Sequence, residues 1–366
     1  MQRSKTLIGV IAGATALLIT AGITTVGAAP AVVPSGVPTT TTLPLFGVAL
    51  TVDVTTGPGG TLSTVAVNPS DGLTATTLKP NRVVFENADG TGRVSVGSGH
   101  GRQSVSTRAG LLSDISGDGG WSGDVFNTGT ATTVAFAIGT TTDGGPDITG
   151  VSSSDTTAVI SATEYKSATD DGESYQSARA NVTFSTTGQT RTLSISATVK
   201  TEEDGTTSAS ARVTLGRLHA TALPIADAIG DKSWSGLLCD GSVATINYNV
   251  AEDGNVTFTD SAPTATDVRA DEGHGIEVRF SQSERVRIRG VLSAEGITIN
   301  VNEHIRCGDA ASPSVNTPVS TIAEGDHHDG HHDGHHDGGT PPPTTVIGGS
   351  GSVPPTSISG ARHPRG

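Results

Sequence analysis

Aromatic side chains are scarce in this 366-residue chain, which holds 7 Phe, 3 Tyr and 2 Trp. Met occurs once, Cys twice, and only 34% of residues are apolar, against ~45–50% in ordinary soluble domains. That shortage excludes one large, densely packed core. Basic residues are also few: Lys and Arg number 22 against 36 Asp and Glu, a net charge of -14. Nucleic acid and anionic membrane surfaces are therefore not expected as partners, because both need concentrated Lys and Arg. The two cysteines form no Cys-x-x-Cys pair, which leaves no redox motif and no thiolate metal site. A nucleophile elbow, a His-Glu-x-x-His helix and a phosphate loop are all missing. No catalytic residue is assigned, and His100, His219, His274 and His304 stand isolated among polar or Gly residues. The expected protein is not an enzyme.

What is abundant is Gly, with 48 residues, together with Val, Ile and Thr. These favour strands over long helices. At the N-terminus, Arg3 and Lys5 precede an apolar stretch from Leu7 to Ile23, and Val26-Gly27-Ala28 offers a small-residue cleavage site. Residues 1–28 read as a secretory signal, and its removal takes the net charge from -14 to -16. A secreted or cell-surface location follows, with no transmembrane span after cleavage, because no later apolar run has the ~20 residues that crossing needs. Residues 29–45 are Pro/Thr-rich and read as a disordered spacer. Residues 311–366 read as a low-complexity, disordered tail.

Between them, one pattern recurs three times. Leu50, Val52 and Val54 alternate with polar residues and lead to Val83-Val84-Phe85, then Val94 and Val96. Val134, Phe136 and Ile138 lead to Val182-Thr183-Phe184, then Leu193, Ile195 and Val199. Ile246, Tyr248 and Val250 lead to Val278-Arg279-Phe280, then Val286, Ile288 and Val291. Alternation with period two marks strands with one buried face, and Asp-Gly pairs at 71, 89, 143, 171, 204 and 253 supply turns. Trp121-Ser122-Gly123 and Trp234-Ser235-Gly236 head the second and third copies; their indoles are expected inside, since a chain so poor in aromatics needs its large side chains in the core. The predicted fold is all-β, with three tandem small antiparallel β-sandwich or open-barrel units at 46–118, 119–232 and 233–310. This pattern of Thr-x-x-Tyr/Phe-x-Val, Asp-Gly and Val-x-Phe, followed by Arg-Val-Arg-Ile-Arg, resembles the β repeats of exported actinobacterial proteins with no assigned activity. The resemblance implies export and tandem β structure, and no site residues.

Three clusters carry chemistry. Cys239 and Cys307 bracket the third unit and are expected to form a disulfide in an exported protein. Arg285, Arg287 and Arg289 alternate along one strand with Arg279 one strand earlier. They present either an anion-binding face for an envelope polymer or a solvated face paired with Glu277, Glu284, Glu295 or Glu303. The tract Asp326-His327-His328-Asp329-Gly330-His331-His332-Asp333-Gly334-His335-His336-Asp337 brings six imidazoles and nearby carboxylates onto a Gly-containing chain. It suits Zn, Ni or Cu(II), with no enclosed tetrahedral site. Asp114, Asp118 and Asp124 sit among Gly and Ser and match no calcium loop; turn chemistry accounts for them. Three functions fit these features: a non-enzymatic extracellular or envelope-associated β protein with a metal-binding tail, a dedicated Zn, Ni or Cu scavenger, or an enzyme acting on an envelope polymer.

Overall fold

The computed structural model describes residues 38–99, 101–170, 172–271, 273–308 and 312–318, all within the compact unit that ends at Thr321. The strands are β1 (Thr39–Leu45), β2 (Val48–Thr56), β3 (Leu62–Asn68), β4 (Leu73–Lys79), β5 (Arg82–Asn87), β6 (Arg93–Gly99), β7 (Arg102–Ala109), β8 (Gly117–Gly123), β9 (Thr132–Thr140), β10 (Pro146–Ser153), β11 (Val159–Ile160) and β12 (Glu164–Asp170). They continue with β13 (Glu173–Thr186), β14 (Gln189–Thr201), β15 (Thr207–Ala220), β16 (Gly230–Leu237), β17 (Val243–Val250), β18 (Val256–Ala262), β19 (Asp267–Asp271), β20 (Gly275–Arg279), β21 (Glu284–Ser293), β22 (Gly296–Ile305) and β23 (Ser314–Val315). Among the described residues the one α-helical turn, α1, is Ile225–Ala228.

The described residues form four sheets. The first has the order β10-β9-β8-β1-β2-β3-β23; the second runs β11-β13-β14-β15-β7-β6-β5-β4, with β12 also paired to β13. The third is β16-β17-β18 and the fourth β19-β20-β21-β22. Pairing is antiparallel except between β23 and β3, and none of these sheets closes into a barrel.

Alternation along the strands produces the cores. In β14, Leu193, Ile195 and Ala197 are fully buried while Ser194, Ser196 and Thr198 face the other way. The same rhythm in β2, β9 and β13 places Val52, Phe136 and Phe184 inside. Side chains of the first and second sheets make one hydrophobic cluster from Leu43 to Leu215, and the third and fourth sheets share another from Leu223 to Ile299. Trp121 lies in the former, with its ring centroid 6.5 Å from that of Phe184, and Trp234 lies in the latter. Both indoles are thus core residues. In the Asp-Gly turns, Gly90 (φ 71°) and Gly254 (φ 81°) take the left-handed conformation, which carries little steric cost without a Cβ.

Two boundaries differ from the sequence reading. Residues 39–45, assigned to a disordered spacer, form β1, which lies between β8 and β2. Four consecutive Thr supply β propensity, Leu43 and Leu45 enter the core, and Pro44 falls beyond the stretch where β1 pairs with β8, so its missing N–H breaks no ladder there. Residues 314–315, assigned to the tail, pair with β3, and the Asn316 amide accepts from Val67 N at 2.9 Å and donates to Val67 O at 2.8 Å. The units drawn at 46–118 and 119–232 are also not separate. β1 pairs with β8 and β7 with β15, so both segments build the same two sheets and one core. A search for consecutive repeats overlooks this, because pairing between distant strands leaves no local signal.

In the last two sheets the Cys239–Cys307 disulfide spans 68 positions with Cα atoms 5.2 Å apart. It ties the segment after β16 to the segment after β22. Replacing both cysteines (Cys239→Ser with Cys307→Ser) should lower stability by about 4 kcal/mol on loop entropy alone, read as a drop in urea midpoint; a loss under ~1 kcal/mol would show that the unfolded chain gains no freedom from the change.

Candidate functional site

The four arginines singled out in the sequence do share one face of the fourth sheet. Register puts Arg279 opposite Arg285, Glu277 opposite Arg287 and Gly275 opposite Arg289. The neighbouring strand places Asp267 opposite Arg279 and Asp271 opposite Gly275. Glu277 is almost fully buried between two guanidinium groups: Arg279 Nη2 lies 2.6 Å from Oε1, and Arg287 Nη2 lies 2.7 Å from Oε2. Hydrogen bonds from Arg279 and then Arg287 hold its carboxyl below the usual glutamate range. Asp271 takes the next pair, with Arg287 Nε at 3.3 Å and Arg289 Nε in direct contact. Arg279, Arg287 and Arg289 are therefore held in ion pairs of the sheet itself. Arg285, opposite Arg279 and His304, makes no ion pair among the described residues.

Of the other carboxylates paired with this face in the sequence reading, Glu284 accepts from Cys239 N at 2.6 Å, beside the disulfide. Glu303 sits across from Val286 on the opposite, apolar side of the sheet. Its Oε1 accepts from Trp234 Nε1 at 3.3 Å, and burial of the carboxyl raises its pKa to about 7 although the residue as a whole keeps some exposure. Cys239 and Cys307 are both consumed by their disulfide.

The tract Asp326 to Asp337, with its six histidines, lies outside the described residues. Among the described residues, no three His, Cys, Asp or Glu side chains come together as a metal centre would need. Asp124 serves a turn, accepting from Phe126 N and Gly129 N.

A second basic cluster was missed by the sequence reading. On the second sheet, Arg82, Arg93, Arg108 and Arg212 line a depression of about 280 Å³ together with Ser95, Ser106 and Ser210. These residues are 130 positions apart at the extremes and carry no Arg-x-Arg signature; only the pairing of β7 with β6 and β15 collects them. The one available signal was the polar half of the alternation, where Arg and Ser recur at the positions facing away from the core. The same sheet has a further cleft at the β14–β15 turn, lined by Glu173, Glu202, Glu203 and Asp204, with Lys200 bridging Glu173 and Glu202 at 3.0 and 2.9 Å.

Compared with protein-family models, curated proteins and solved structures, the chain matches none.

Glu303 generates a pH test. Its folded pKa of about 7 exceeds the ordinary glutamate value of 4.5, so stability contributed by the neutral form is fully present below ~4.5 and is lost as pH rises through 7. Glu303→Gln should raise stability by on the order of 2 kcal/mol at pH 8 and change it little at pH 4. Equal effects at both pH values in a thermal-denaturation series would contradict this.

Proposed function

We propose that this is an exported, non-enzymatic, extracellular or envelope-associated β protein whose histidine-rich tail binds divalent transition metals. The observation that carries the export reading is the Cys239–Cys307 disulfide, which persists in an oxidising compartment and is rare in a reducing one. It accords with the basic and then apolar N-terminal segment. Among the described residues, no helix is long and apolar enough to cross a membrane. We read the two large sheets as the two layers of a sandwich, and the disulfide-stapled sheets as a second, smaller body. Both are scaffolds that present polar faces.

The metal reading rests on residue chemistry. His327, His328, His331, His332, His335 and His336 are spaced in pairs four residues apart, with Asp326, Asp329, Asp333 and Asp337 between or beside them. Neutral imidazole is the preferred nitrogen ligand of Zn, Ni and Cu(II), and Gly330 and Gly334 let the chain fold around an ion. A scavenging or buffering role is the second reading, favoured by the number of imidazoles, which exceeds what one ion requires.

Calorimetric titration with Zn²⁺ or Ni²⁺ should show tight binding by the full chain that is abolished in a chain ending at residue 323. Binding should weaken steeply as pH falls through ~6.5, where imidazoles take up protons. Unchanged stoichiometry after truncation, or full retention of metal at pH 5, would sink the tail assignment.

A further inference from the structure

The outward face of the second sheet is polar nearly throughout. Ser194, Ser196 and Thr198 of β14, Ser210, Arg212 and Thr214 of β15, Ser104, Ser106 and Arg108 of β7, and Arg93 and Ser95 of β6 occupy corresponding positions across four strands. Within it the charges are not arranged for structural gain. Arg93 stands directly opposite Arg108, and like charges at that position destabilise a sheet. Glu86, opposite Arg93 on the other side, reaches it at only 3.6 Å. Arg82, Arg108 and Arg212 are exposed and form no ion pair among the described residues. The fourth sheet shows the contrast: there Glu277 and Asp271 neutralise Arg279, Arg287 and Arg289 in place, which leaves Arg285 alone of the four arginines singled out in the sequence without an ion pair among the described residues.

We propose that this face is a binding site for an extended polyanion whose charge resides in phosphate groups. Four guanidinium groups and three serine hydroxyls line the depression, with no carboxylate in its lining. Such a donor surplus fits a group with several acceptor oxygens. A planar carboxylate is satisfied by the two parallel donors of one Arg, whereas a tetrahedral phosphate accepts from several directions at once. Extension follows from the register. The four arginines come from β5, β6, β7 and β15, which are consecutive in the sheet, and adjacent strands lie ~4.8 Å apart. The span of roughly 14 Å exceeds one phosphate and suits several in series. Ser side chains and Gly97 keep the surface low between the arginines, so a chain can lie along it. The rest of the protein is strongly acidic, which repels a polyanion elsewhere and confines it to this face. This inference stands independently of the metal-binding tail.

The test uses the full chain and long-chain inorganic polyphosphate as the probe, followed by calorimetry at low and high salt. Binding should weaken at least tenfold in the double variant Arg108→Ser, Arg212→Ser, and should fall with added salt. The double variant Arg269→Ser, Arg285→Ser, which removes the same charge from the fourth sheet, should bind as the wild type does. Orthophosphate should compete poorly, and polygalacturonate, a carboxylate polymer, should bind more weakly than polyphosphate. The thermal midpoint of Arg108→Ser should not fall below wild type, because the substitution relieves the opposition to Arg93. Equal polyphosphate binding by the Arg108/Arg212 variant, loss through the Arg269/Arg285 variant instead, or preference for polygalacturonate would overturn the proposal.

Discussion

The side chain of Arg191 fixes the geometry on which the larger half of the molecule depends. It projects from β14 into the apolar side of the second sheet and is 5% exposed. An unpaired charge there would cost several kcal/mol. The cost is offset because its nitrogens donate to three carbonyls from different parts of the chain: Gly216 O at 2.9 Å, Val125 O at 2.8 Å and Gly101 O at 3.1 Å. Burial lowers its pKa to about 10, with the charge of Asp124 acting in the opposite direction, so the guanidinium stays protonated at neutral pH. Asp124 in turn holds the turn after β8. One cation thereby connects β14 and β15 to the β6–β7 turn and to the β8–β9 connection of the first sheet. These are also strands whose outer positions carry Arg93, Arg108 and Arg212.

Arginine has three distinct uses in this acidic chain. Arg191 is internal and bonds backbone. Arg279, Arg287 and Arg289 stitch β19, β20 and β21 through Glu277 and Asp271, where the buried carboxylate draws its partners into fixed positions. Arg82, Arg108 and Arg212 have neither arrangement, and their lack of ion pairs among the described residues, with Arg108 set directly opposite Arg93, is what singles out the second sheet for the proposed ligand surface. Basic residues are too few in this chain for their placement to be averaged away: each cluster is a local departure from a net charge of -14.

The legible part of the fold was its local part. Alternation at Leu50 to Val54, Val134 to Ile138 and Ile246 to Val250 marked real strands with those residues buried, and Trp121 and Trp234 were placed inside by the scarcity of other large side chains. Cys239 and Cys307 could pair only with each other. What could not be read was which strands lie side by side. The Pro and Thr content of residues 39–45 suggested a spacer, yet partners at β2 and β8 supply the hydrogen bonds and apolar surface that make it a strand. Likewise the Arg-Val-Arg-Ile-Arg run advertised itself within one strand, while its neutralisation by Asp271 depended on a neighbouring hairpin. The Arg82, Arg93, Arg108 and Arg212 cluster lacked a signature within any one strand: the β5–β6–β7 hairpins bring the first three together, and the long-range pairing of β7 with β15 adds Arg212.

Amide hydrogen exchange in wild type and in Arg191→Met measures this account most directly. If the guanidinium joins three backbone segments, the substitution removes protection together around Gly101, Val125 and Gly216, and leaves amides of β20 to β22 unchanged. Loss of protection confined to β14, with those three segments still protected, would contradict it.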